Sequence, residues 1–251
     1  MAGVIDEKIA ERRRAIREGR RRSRLRRTVT VAVLVALLVA FLALERSALV
    51  GLEEIRVLGA ERVDEEVVRA ATELELGTST LRLWLGRVEE RVARLPAVRV
   101  ATARRLDPLT VLIEVVEREP RLVAESEGRR ALVDREGVLL DDGRQGGLPR
   151  ILIDDGLPEI GSTVSEDAAL ENAFRAWRGL TGPLRTEVVR YDAAGVDDLV
   201  LQLESGIAVR FGRAHRIDEK VRALGVILED IEDAEISEID VRAPSSPVVV
   251  P

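Results

Sequence analysis

The sequence predicts an α+β protein in three parts: a single-pass membrane anchor, a small β-α-α-β-β module, and a strand-rich domain with two helices. Three observations predict it. Residues 28–44, TVTVAVLVALLVAFLAL, run for 17 positions without a charge between Arg26-Arg27 and Glu45-Arg46. From Leu52 to Val116 the pattern reads strand, helix, helix, strand, strand. After Pro120, short apolar runs alternate with tight-turn signals.

Charge divides the chain at the apolar stretch. Residues 1–27 hold 11 Lys/Arg against 4 Asp/Glu, and the rest holds 28 against 41. A basic flank stays on the cytoplasmic side of a bilayer, so residues 1–27 read as a cytoplasmic arm. Residues 28–45 read as the transmembrane helix, near the lower limit for a span of about 20 residues. The acidic bulk is then extracytoplasmic. A cleaved signal peptide is the rival reading, but the basic region is long and no small-x-small site follows Leu44.

The first module is expected over 50–119. LEEIRVLG ends at Gly59 and reads as a strand. Asp64 can cap a helix, Glu65 and Glu66 suit its positive first turn, and Val67, Ala71 and Leu74 give it an apolar face. Leu81, Trp84, Leu85, Val88, Val92 and Leu95 recur at helical spacing until Pro96. Residues 98–106 and 109–116 are strands joined at Asp107-Pro108.

The second domain is expected over 120–251. RLVAES, ALVD, VLL and RILI read as strands, with turns at Glu127-Gly128, Asp142-Gly143 and Asp155-Gly156. A helix is predicted from Glu166 to Leu180, capped by Ser165, with Ala169, Leu170, Ala173, Phe174 and Trp177 buried. Residues 185–192, 198–204 and 207–211 form a meander, and 217–231 a second helix with Val221, Leu224, Leu228 and Ile231 inward. EIDVR and the short Val248–Val250 run close the chain, and Val248–Val250 is either a free sheet edge or a closing core strand.

The chemistry these residues exclude is broad. The absence of cysteine removes disulfides, zinc thiolates and cysteine nucleophiles, and a single histidine, His215, removes a multi-histidine metal site. No nucleophile elbow, P-loop, zinc-protease or dinucleotide motif is present. The pairs Asp141-Asp142, Asp154-Asp155 and Asp197-Asp198 fall at turns and lack the alternating ligands of a calcium loop. An acidic domain repels nucleic acid. These observations leave a protein that holds partners, without cofactor and without enzymatic activity. The alternative is a membrane-anchored extracytoplasmic enzyme or assembly factor of the cell envelope.

Several runs, in order, resemble the FtsQ/DivIB family of bacterial cell-division proteins. IRVLGAERV (Ile55–Val63) resembles the start of a POTRA domain. LPAVRVATARRLDPLTVLIEVVEREP (Leu95–Pro120), with its Glu-Arg-x-Pro exit, resembles the family's most recognisable run. ALVDREGVLL (Ala131–Leu140), LPRIL (Leu148–Leu152), LESGIAVRFGR, Lys220 and EIDVR (Glu238–Arg242) resemble the second domain. The resemblance implies a non-enzymatic divisome scaffold in the cytoplasmic membrane, expected at the septum. It implies binding to the single-pass proteins FtsB and FtsL, with other division proteins engaged through the POTRA-like module.

The resemblance further implies that an FtsB-type segment adds to the last strand. Arg242 matches a family position in that contact, and Arg213 of the Phe-Gly-Arg turn is a second match. Ala243 stands where some members have a bulky aromatic. Pro247 and Pro251 bracket Val248, Val249 and Val250, and Pro244-Ser245-Ser246 replaces the family's common glycine. A guanidinium suits such a role because it clamps a carboxylate with two hydrogen bonds.

Overall fold

The structure, a computed structural model, describes residues 27, 29–41, 43, 50–141, 143, 145–230 and 236–251. The basic arm expected over 1–27 lies outside the described residues except for Arg27, as do Asp142 and Ile231. The expectation of a membrane-spanning helix is corrected. Described residues 27, 29–41 and 43 are helical, and 29–41 are labelled α1. Among the described residues no helix is long and apolar enough to cross a membrane. Everything that rested on that helix goes with it. This covers the membrane anchor in the fold class and the scaffold's placement in the cytoplasmic membrane. It also covers single-pass membrane contact among the partners and the type II localisation with an extracytoplasmic domain. Residues 28, 42, 44 and 45 of the expected span lie outside the described residues.

The chain forms two compact units. The first takes in the stretch up to Arg56, Leu74–Trp84 and Arg104–Leu112; the second takes in Val57–Glu73, Leu85–Ala103 and Ile113–Pro251. In the first, fully buried Thr80 ties three segments. Its hydroxyl donates to Pro108 O at 2.7 Å and Val50 O at 3.2 Å, and its carbonyl accepts from Arg105 Nε at 2.8 Å. Arg105 Nη2 also donates to Leu83 O at 2.8 Å. A basic residue thus satisfies the carbonyls that a short 3-10 turn, Thr80–Arg82, leaves open.

Strands β1 (Glu54–Leu58), β2 (Val98–Arg105) and β3 (Thr110–Glu117) form a three-stranded sheet in the order β1-β3-β2. Helix α2 (Glu65–Ala71) is capped by Asp64, whose carboxylate accepts from Glu66 N at 2.9 Å. Its buried residue is Val68, followed by Thr72, whereas Val67 is 48% exposed. The apolar face is therefore one position later than the spacing predicted. Helix α3 (Leu85–Val92) buries Val88 and Val92 as expected. Leu81 and Trp84 precede it in non-α backbone, so the 3.6-residue stripe does not carry them inward, and Trp84 is 75% exposed.

The Glu-Arg-x-Pro exit of β3 has a visible structural task. The Glu117 carboxylate accepts from Glu61 N, Arg62 N and Val63 N at 2.9–3.1 Å, closing the turn before α2. Arg118 Nη1 donates to Asp134 Oδ2 at 2.7 Å and to Glu136 Oε2 at 2.6 Å. Asp134 is buried, and its other oxygen accepts from Glu136 N and Val138 N at 2.8 and 2.9 Å. Burial works against the Arg118 charge, but the two carboxylates more than offset it and hold its pKa above the usual value.

The larger sheet has eight strands in the order β11-β10-β9-β8-β7-β6-β4-β5. They are β4 (Pro120–Ser126), β5 (Arg129–Asp134), β6 (Arg150–Ile153), β7 (Val188–Ala193), β8 (Leu199–Leu203), β9 (Ala208–Arg210), β10 (Glu238–Asp240) and β11 (Val248–Val250). Pairings β4–β6, β6–β7 and β9–β10 are parallel, and the rest antiparallel. Helices α4 (Ala168–Gly179) and α6 (Ile217–Asp230) bury Leu170, Ala173, Phe174, Trp177, Val221 and Leu224 in one core with Leu122, Ile151, Tyr191, Leu201 and Val209.

Two local expectations are revised. The cap of α4 is Asp167, which accepts from Leu170 N at 2.7 Å, because Ser165 is taken into a 3-10 turn over Val164–Glu166. A third helix, α5 (Gly182–Glu187), occupies the start of the stretch expected as strand 185–192. Arg185 explains it. Its guanidinium donates to Trp177 O, Arg178 O and Leu180 O at 2.7–3.0 Å, capping the end of α4.

Candidate partner-docking edge

Strand β10 enters the sheet beside β9, with Glu238, Ile239 and Asp240 opposite Ala208, Val209 and Arg210. Ile239 is fully buried and anchors it. Residues Ala243–Ser246 reverse the chain, with Ser246 N donating to Ala243 O at 3.0 Å. Strand β11 then pairs antiparallel with β10, Val248 opposite Asp240 and Val250 opposite Glu238. Ser237 latches its end, donating from N to Val250 O at 3.0 Å and from Oγ to Pro251 O at 2.9 Å.

β11 is the terminal strand of its sheet, so one side of its backbone has no neighbouring strand among the described residues. Val248, Val249 and Val250 are 56%, 39% and 40% exposed. Of the two readings left open by the sequence, free edge or core strand, the geometry is that of an edge. Pro247 and Pro251 bound it to three residues, which limits the ladder it can offer.

The arginines lie behind this edge. Arg242 lies two residues beyond the end of β10, and its guanidinium is paired with the Asp240 carboxylate, Nε at 3.0 Å and Nη2 at 2.6 Å from Oδ2. Arg213 is turned to Asp197, with Nε and Nη2 at 2.8 and 3.2 Å. Gly212, at φ +64°, sits under the Arg242 stem: a Cβ there would lie 3.0 Å from Arg242 Cγ. The structure thus brings Arg242, Ala243 and Pro247–Val250 into one loop and edge. Arg213 joins them through the turn beneath Arg242 while its own charge faces Asp197.

The side-chain hydrogen bond from Arg242 holds the Asp240 carboxyl below the usual carboxylate range, against the opposing effect of partial burial. A lowered folded-state pKa gives stability that is complete above about pH 4 and is lost as pH falls through the folded value. Melting temperature of the wild type is expected to fall more steeply than that of Asp240→Asn below pH 4. The difference is small, because Arg242 is half exposed and solvent screens the pair. Parallel curves for the two proteins would show that this pair is energetically silent.

No metal fits here: among the described residues no group of three or more Asp, Glu or His is arranged to hold an ion. His215 is exposed, with Nδ1 3.1 Å from Arg213 O.

Comparison with known proteins joins the two halves. Residues 50–118 match the family described as POTRA domain, FtsQ-type, and residues 122–242 match Cell division protein FtsQ/DivIB, C-terminal. The chain belongs to the FtsQ/DivIB family. It is similar to Cell division protein FtsQ of Mycobacterium leprae, 30% identical over 188 residues that cover 74% of this chain and 53% of that protein. The protein of the same name from Streptomyces bingchenggensis is 27% identical over 206 residues, 81% of this chain and 77% of that one. That of Mycobacterium tuberculosis is 28% identical over 188 residues. The chain thus spans about half the length of the M. leprae relative.

Sequence reasoning missed Asp240, Ser237 and Asn172 at this site. Asp240 and Arg242 alternate in EIDVR, the spacing that puts two side chains on one strand face, and that signal could have paired them. Asn172 lies on a helix stripe otherwise read as apolar, and nothing in its spacing marks it.

Proposed function

We propose that this chain acts as a non-enzymatic scaffold of the division machinery and that an FtsB-type partner segment adds to β11 as a ninth strand. The observation that carries the reading is the short terminal strand with three exposed valines and an unshared backbone side. In this mode backbone hydrogen bonds supply affinity, and side chains beside the strand supply register. Arg242 is the register group: its stem is fixed, and its charge meets an acidic residue of the added segment. The module over 50–119 serves separate contacts with other division proteins, and 120–251 carries the docking edge.

Proline scanning of Val248, Val249 and Val250 in the full chain tests this. N–H groups alternate along a strand, so proline at a position facing outward deletes a donor offered to the partner and leaves pairing with β10 intact. Binding of a synthetic FtsB-type segment from the same cell is expected to fall by more than about tenfold for that variant, with an unchanged melting temperature. Full binding by all three proline variants would sink strand addition.

A further inference from the structure

The turn beneath Arg242 is held by two side chains that reach it from the helices. Lys220 of α6 is fully buried, and its Nζ donates to Phe211 O at 2.6 Å and Arg213 O at 2.8 Å, 4.8 Å from the Phe211 ring centroid. Asn172 of α4, also buried, donates from Nδ2 to Gly212 O at 3.2 Å, and its Oδ1 accepts from Ala214 N at 2.6 Å. Three successive carbonyls, 211, 212 and 213, are therefore fixed from below. Above them, Gly212 supports the Arg242 stem, with Cγ and Cδ at 3.0 and 3.3 Å from where a Cβ would stand.

A buried ammonium is costly, and a lysine is rarely taken fully inside without a reason that outweighs the cost. An aliphatic side chain would fill the same volume in this core without desolvating a charge. What only a donor can do is hold two carbonyls that point the same way around a left-handed glycine. The contacts of Lys220 and Asn172 are spent on the shape of the 211–214 turn, and the turn's upper face carries the residue that stands beside the docking edge.

We propose that Lys220, assisted by Asn172, is a positioning residue for partner docking: it sets the Phe211–Ala214 turn so that Gly212 carries the Arg242 stem at the height of β11. This rests on the reading of β11 as the docking strand. Lys220 does not touch the partner. It acts through Arg242, and that route separates it from a residue that only stabilises the core.

A double-mutant cycle in the full chain tests it, with the same synthetic FtsB-type segment as probe and all measurements at a temperature where every variant is folded. Lys220→Met keeps the stem and removes the donor. It is expected to weaken binding about tenfold when Arg242 is present and to change it less than about twofold in an Arg242→Ala background, the mark of two residues acting as one unit. Gly212→Ala keeps the lysine donor and displaces the Arg242 stem, both by its Cβ and by straining the turn at φ +64°. The same loss is expected from it, which keeps the test available if Lys220→Met fails to fold. Equal loss in both backgrounds, or none where Arg242 is present, overturns the proposal. The proline variants of β11 separate the two levels. If they bind normally, the docking strand is wrong; if they lose binding while Lys220→Met and Gly212→Ala do not, only the positioning role is wrong.

Discussion

Replacing Arg118 with methionine is expected to destabilise the protein by about 3 kcal/mol, the range found when one partner of a buried ion pair is removed. Asp134 is the reason. Its side chain is 2% exposed, and one of its oxygens is held by the Arg118 guanidinium at 2.7 Å. Methionine fills the volume of the stem but leaves that buried carboxylate without its ion-pair partner. The two backbone donors, Glu136 N and Val138 N, remain and keep the loss from being larger. The Glu136 contact contributes little, since that carboxylate is 44% exposed. Urea unfolding of wild type, Arg118→Met, Asp134→Asn and the double variant checks this. The double variant should be more stable than the sum of the single losses implies, because neutralising Asp134 removes the charge that Arg118 was there to answer. Simple additivity would show that the two residues stabilise the fold separately.

The second large effect is expected at Gly59. Its φ is +83°, and a Cβ built on it would stand 2.2 Å from the Val115 carbonyl oxygen. The left-handed conformation alone costs an alanine about 1–2 kcal/mol. The contact cannot be relieved by rotating a side chain, because the atom it meets is the backbone of β3. Either the turn after β1 or the strand must move. Gly59→Ala is therefore expected to cost more than about 3 kcal/mol in urea unfolding, near the upper end for single substitutions. A loss under about 0.5 kcal/mol would mean that the turn adopts another conformation in solution.

Elements with a strong local period were legible in the sequence. The α4 stripe Ala169, Leu170, Ala173, Phe174 and Trp177 is buried as its spacing predicts. Pro247 and Pro251 mark the bounds of β11 because proline cannot donate within a ladder. What was not legible depends on contacts between distant residues. Trp84 has the spacing of a core residue, yet the backbone around it is not α-helical, and the side chain faces solvent. Helix α5 carries a start signal in Pro183, but the reach of Arg185 back to cap α4 has no local pattern to announce it. The apolar run over 28–44 has the composition of a span, but among the described residues no helix is long and apolar enough to cross a membrane.

The candidate site divides the same way. Its loop and edge are contiguous in sequence and could be named in advance. Lys220 could be picked out only by resemblance, and its task only by geometry: it lies 22 residues before Arg242 in the chain, and only the fold puts a shared turn between them. The charge on Arg242 was legible, and its pairing with Asp240 was within reach of the i, i+2 spacing in EIDVR.

The most direct measurement is amide hydrogen exchange along 237–250 in the full chain, with and without the FtsB-type segment at saturation. Strand β10 is already paired on both sides, and its amides are expected to exchange slowly in both states. The outward-facing amides among Val248, Val249 and Val250 are expected to exchange quickly alone and to become protected when the segment is bound. Unchanged exchange in β11 under saturating segment, with protection appearing elsewhere, would contradict docking by strand addition.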